Sequence, residues 1–65
     1  MEFNGTQKEI LETLSNADEA LKVKEVADKI GKSRQTVGKH KPELVRAGII
    51  EEIESGQSTL LEISD

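Results

Sequence analysis

Residues 23–48, VKEVADKIGKSRQTVGKHKPELVRAG, constrain the fold more than any other part of the chain. Val23, Val26, Ala27 and Ile30 recur at i, i+3, i+4 and i+7, which places one apolar stripe along a short helix. Gly31 ends that helix, because glycine enters the left-handed conformation without steric cost. Two residues on, Ser33 suits an N-cap, its oxygen accepting from the free amides of a second helix. With residues about 100° apart, Val37 and Leu44 of this second helix fall together on an inward face. Gln35, Lys39 and Arg46 fall opposite, and Arg34 and Thr36 flank them in the first turn.

The flanks read as support. Residues 1–5 form a lead-in, with Phe3 tucked against a first helix over about 6–16. Thr6 and Glu9 have the capping-box spacing, and Ile10, Leu11 and Leu14 share the buried face. The outer face carries Glu9 and Glu12, which phosphate would repel, and Asn16, Ala17 and Asp18 break the helix. Residues 20–23 read as a short extended segment. The next helix, about 24–31, lacks a Ser, Thr or Asp cap; Lys24 at its start is either a plain exposed lysine or a phosphate contact. A third helix covers about 33–47. Gly48 ends it, and the β-branched run from Ile49 with the return through Leu60 and Ile63 gives a hairpin over about 49–63, turning at Ser55-Gly56-Gln57-Ser58. The fold class is therefore mainly α with a small β-hairpin, in a single domain over 1–65.

Helix, short glycine turn and polar helix together make the helix-turn-helix arrangement. The run EVADKIGKSRQTVGKHKPELVRAGII resembles the core of winged helix-turn-helix regulators of the bacterial and archaeal type. The resemblance rests on Val26-Ala27, Ile30-Gly31, Ser33-Arg34-Gln35-Thr36-Val37, His40, Leu44 and Arg46-Ala47-Gly48-Ile49-Ile50. It implies a three-helix winged fold, with residues 20–23 pairing to the hairpin and the helix after Ser33 entering the major groove of DNA. Two residues depart from the pattern. Lys41 stands where a core leucine usually follows the histidine, and Pro42 comes next. Proline removes a backbone donor and crowds the carbonyl of Gly38, so the helix is expected to kink or stop near residues 40–41 and restart at Pro42. Such a break would turn Lys41 toward solvent or phosphate.

Charge points the same way. The whole chain carries a net charge of −4, but residues 22–46 hold eight bases (Lys22, Lys24, Lys29, Lys32, Arg34, Lys39, Lys41 and Arg46) against three acids. Both flanks are net acidic, so positive charge is gathered on the helix-turn-helix, as a nucleic-acid footprint requires. Phe3 is the one aromatic, which leaves no stacking platform for single strands. The absence of cysteine excludes disulfides and thiolate metal sites and suits a reducing cytoplasm. No apolar run is long enough for a membrane span. His40 has no second His or Cys to form a metal or acid–base pair and reads as a residue at the core edge, near a phosphate. Neither a nucleophile–base pair nor a phosphate loop is present, so no enzyme, cofactor or small-molecule ligand is expected.

The expected function is double-stranded-DNA binding by a transcriptional regulator. Arg34, Gln35 and Thr36 would read base edges, arginine and glutamine having the fork geometry that matches guanine and adenine. Lys24, Lys32, Ser33, Lys39, His40 and Lys41 complete the expected DNA-binding set, with Lys39 on a phosphate. The hairpin is acidic and reads mainly as core cover, with Gln57 or Ser58 within reach of a phosphate. A module of this size, burying about 60% of its unfolded surface, should be modestly stable. It should also bind weakly alone, so a second copy or a larger assembly is an expected partner. The alternative is a winged helix used for protein–protein contact in a nucleic-acid-processing assembly, which the acidic hairpin favours and the basic block opposes.

Overall fold

The computed structural model describes residues 3–64, so Met1 and Glu2 of the expected lead-in and the terminal Asp65 lie outside the described residues. The elements run α1 (Gly5–Ser15), β1 (Leu21–Lys22), α2 (Val23–Ile30), α3 (Arg34–Arg46), β2 (Ile50–Ser55) and β3 (Ser58–Ile63). The three strands form one antiparallel sheet in the order β1-β3-β2. Leu21 pairs with Leu61 and Lys22 with Leu60, while Ile50 pairs with Ile63 and Ile53 with Leu60. Residues 21–22 thus join the hairpin, as the resemblance implied. Gly56 and Gln57 form its two-residue turn.

Every element feeds one core. Ile10 and Leu14 come from α1, Leu21 from β1, Val26 and Ala27 from α2, Val37 and Leu44 from α3, Ile50 from β2 and Leu61 from β3, all buried. Phe3 packs against this cluster, partly buried. The periodic stripes read from the sequence are the faces that meet, and burial of such side chains contributes roughly 1.5–3 kcal/mol each.

α2 and α3 end by the same device. The Lys32 amide donates to Ala27 and the Gly31 amide to Asp28; likewise Ile49 donates to Leu44 and Gly48 to Val45. These paired bonds need a left-handed residue, and Gly31 and Gly48 supply it at φ 70° and 73°. The sharp turn at Gly31 lets α3 start after only three linking residues, with Ser33 as its N-cap.

Three local expectations are corrected. The cap of α1 is Asn4 rather than Thr6: the Asn4 side chain accepts from the Gln7 amide at 2.8 Å, and the Gln7 side chain accepts from the Asn4 amide at 3.0 Å. The same reciprocal spacing occurs two residues earlier than Thr6–Glu9, asparagine caps at least as well as threonine, and this choice places Gln7 in the interior. Gln7 is buried there and donates to Glu43 of α3. At the second helix, α2 starts at Val23, capped by Lys22, whose amide donates to the Glu25 carboxylate at 3.0 Å. Glu25 in the first turn replaces the missing Ser or Asp and suits the helix dipole.

The third correction concerns Pro42. α3 neither stops nor restarts; it runs unbroken from Arg34 to Arg46 with Pro42 inside it. Val37 and Leu44, fully buried on either side of the proline, hold one helical register across it. Their combined burial is worth roughly 3–6 kcal/mol against a proline penalty of about 3 kcal/mol. Gly38 and Pro42 are both exposed, so water reaches the carbonyl that loses its partner.

Candidate nucleic-acid interface

The interface is built on the first turns of α3. Ser33 Oγ accepts the Thr36 amide at 3.2 Å and lies 3.0 Å from Thr36 Oγ1, so the two hydroxyls of this cap engage each other. That bond fixes the helix start, and with Val37 pinned in the core it leaves Arg34, Gln35 and Lys39 exposed. Cationic and forked donors therefore project from the free side of a rigid helix.

An open groove of about 610 Å³ adjoins them. Lys22, Val23 and Lys24 form one wall, Arg34, Gln35 and Lys41 of α3 the second, and Gln57, Ser58 and Thr59 of the hairpin the third. Small-molecule pockets of this size are mostly apolar. Here the aliphatic stems of the side chains supply apolar surface too, but no carboxylate lines the groove, and four of its nine residues are cationic. Such a surface suits a polyanion.

The residues singled out in the sequence separate into groups. Lys24, Arg34, Gln35 and Lys41 come together in the groove. Lys39 is exposed on the same helix, outside the groove. Lys32 lies 3.9 Å from Glu9 of α1, an exposed pair of little energetic weight that leaves its charge available. His40 is half-buried, and its Nδ1 lies 3.3 Å from the Asn4 side-chain Nδ2, so it joins α3 to the cap of α1. Lys41 is not turned to open solvent: its Nζ is 2.7 Å from Glu52 of β2, with only 20% of the side chain exposed. Lys22 and Thr59 escaped sequence reading, because only the β1–β3 pairing, Lys22 beside Leu60, brings them to α3, whereas the sequence already puts Gln57 or Ser58 within reach of a phosphate. The hairpin covers the core through Ile50 and Leu61 and lines the groove through Gln57, Ser58 and Thr59. Among the described residues, no cluster of His, Asp and Glu could hold a metal ion, and no helix is long and apolar enough to cross a membrane.

The sequence model of the winged helix-turn-helix DNA-binding family matches residues 3–51. The chain belongs to the winged helix-turn-helix DNA-binding family. In its terms α3 is the recognition helix and the β2–β3 hairpin the wing. No curated protein matches the sequence. Among solved structures, the PcaV transcriptional regulator from Streptomyces coelicolor superimposes with a TM-score of 0.90 at 25% identity, over 98% of this chain and 47% of its own. Reduced HlyU from Vibrio cholerae gives 0.83 at 24% identity, over 95% and 63% of the two chains. The homodimeric winged helix-turn-helix domain of Mb0332 from Mycobacterium bovis gives 0.85 at 22%, over 95% and 56%. The latter two likenesses carry the fold alone. The chain spans about half to two thirds of the length of these structures.

Proposed function

We propose that this winged helix-turn-helix protein is a transcriptional regulator, acting in the cytoplasm as one domain over 1–65. In this reading the first turns of α3 enter the major groove of double-stranded DNA. Arg34 and Gln35 read base edges, and Thr36 borders them. Lys39, Lys32, Lys24 and Ser33 anchor phosphates, and His40 holds α3 against α1. One observation carries the reading: in a chain of net charge −4, Arg34, Gln35 and Lys39 are all exposed on the recognition helix beside a groove that no carboxylate lines, Glu52 meeting Lys41 at its edge. The acidic strands of the wing do not cover them.

A single module should bind non-specific duplex only in the range of about 10⁻⁴–10⁻⁶ M, and salt should weaken it steeply. Tighter binding follows if two copies present recognition helices about 34 Å apart, one turn of DNA. The Mb0332 domain, alike in fold, is itself homodimeric. The protein-partner alternative gains no observation of its own.

Titration of random duplex DNA at low salt, with wild type and the double variant Arg34→Ala, Lys39→Ala, tests the proposal. Salt-sensitive micromolar binding is expected, with the variant losing about 1.8 units of the log–log salt slope, 0.9 for each cation. Failure of wild type to bind, or binding indifferent to both substitutions, would overturn the proposal.

A further inference from the structure

We propose that Glu52 on the wing holds down the protein's sequence-independent affinity for DNA by sequestering Lys41. This inference rests on the DNA-binding reading above. Lys41 sits on the groove wall beside Arg34, where a phosphate strand would run. Its Nζ lies 2.7 Å from Glu52 Oε2, in the range of a charge-assisted hydrogen bond, with the two side chains 20% and 34% exposed. The pair between Lys32 and Glu9 is different: 3.9 Å apart, with exposures of 37% and 47%. Phosphate competes easily with the second pair and poorly with the first.

The placement of Glu52 follows from strand register. It pairs with the buried Leu61, two residues on from the buried Ile50, so it faces inward toward α3. Glu51, one residue earlier, pairs with Glu62 on the other face and accepts from Ser64 Oγ. Among the described residues, Glu52 is the acid of β2 that pairs with a cation of the recognition helix. A carboxylate there neutralises one groove cation and repels an approaching phosphate. Sequence-independent affinity grows with each cation that neutralises a phosphate, whereas base-edge contacts carry discrimination. Holding Lys41 back lowers the non-specific term and leaves the contacts of Arg34 and Gln35 a larger share.

The test uses the full chain and random duplex DNA across a salt series, comparing wild type, Glu52→Gln, Glu51→Gln and Glu52→Gln with Lys41→Gln. Glutamine keeps the size of the side chain, and thermal melting checks that each variant folds. Glu52→Gln should raise affinity about tenfold at 50 mM salt and about threefold at 200 mM, steepening the log–log slope by about 0.9. Glu51→Gln makes the same change in net charge away from Lys41 and should shift affinity far less. Adding Lys41→Gln should abolish the gain. Equal effects of Glu52→Gln and Glu51→Gln, or a gain that survives loss of Lys41, would overturn this inference alone. Absence of DNA binding by wild type and every variant would overturn the DNA reading, and this inference with it.

Discussion

Replacing Pro42 by alanine tests how α3 is held together. In an unbroken helix, residue 42 should donate to the carbonyl of Gly38; proline has no amide to give and crowds that carbonyl. Alanine restores the bond and removes the clash, a gain of up to about 3 kcal/mol. Two effects reduce it. Proline also restricts the unfolded chain, which offsets roughly 0.4–1 kcal/mol. The Gly38 carbonyl is also reached by water, since both residues are exposed, so the missing bond costs less than a buried one. Pro42 is exposed and no core packing is lost with its ring. Pro42→Ala should therefore stabilise the protein by about 1–2 kcal/mol, raising its melting temperature by roughly 5–15 °C. Urea and thermal denaturation followed by circular dichroism measure both quantities. A broken helix would give the opposite result. With Pro42 at the first position of a new helix, its fixed φ would be favourable, and alanine would be neutral or destabilising. That outcome would refute the continuous recognition helix.

Three further outcomes follow from the same packing. Leu44→Ala empties a fully buried site on α3 and should cost about 2–5 kcal/mol, enough to unfold much of a domain this small at 37 °C, as read by denaturation. Gly31→Ala meets no atom within 4 Å but forces a side chain into φ 70°, so it should cost about 1–2 kcal/mol of stability without any steric overlap. Gln7→Leu keeps the volume of a buried side chain but removes both its bond to the Asn4 amide and its bond to Glu43; a loss of about 1–3 kcal/mol in urea denaturation is expected.

Local chemistry makes the helix-turn-helix legible in the sequence. Val26, Ala27, Val37 and Leu44 announce their faces through a 3.6-residue period, and Gly31 and Ser33 mark the turn through properties of single residues. What escaped depended on partners distant in sequence. Asn4 and Thr6 offer equivalent caps, and the choice turns on Gln7 reaching Glu43, 36 residues away. At Pro42, a local rule predicts a break, yet the burial of Val37 and Leu44 on both sides outweighs it. The candidate site divides in the same manner. Exposure of Arg34, Gln35 and Lys39 follows from helix geometry alone. Lys22 and Thr59 enter the groove only through the β1–β3 register, and the engagement of Lys41 by Glu52 needs the wing folded back on α3.

Amide chemical-shift mapping shows whether a cationic recognition surface prevails over an otherwise anionic molecule. Uniformly ¹⁵N-labelled protein would be titrated with duplex DNA at low salt. Shifts are expected to concentrate at residues 22–24, 33–41 and 57–59 and to weaken as salt rises, with Glu12, Asp18 and Glu62 unmoved. Shifts centred on the acidic strands and α1, or none at all, would contradict it.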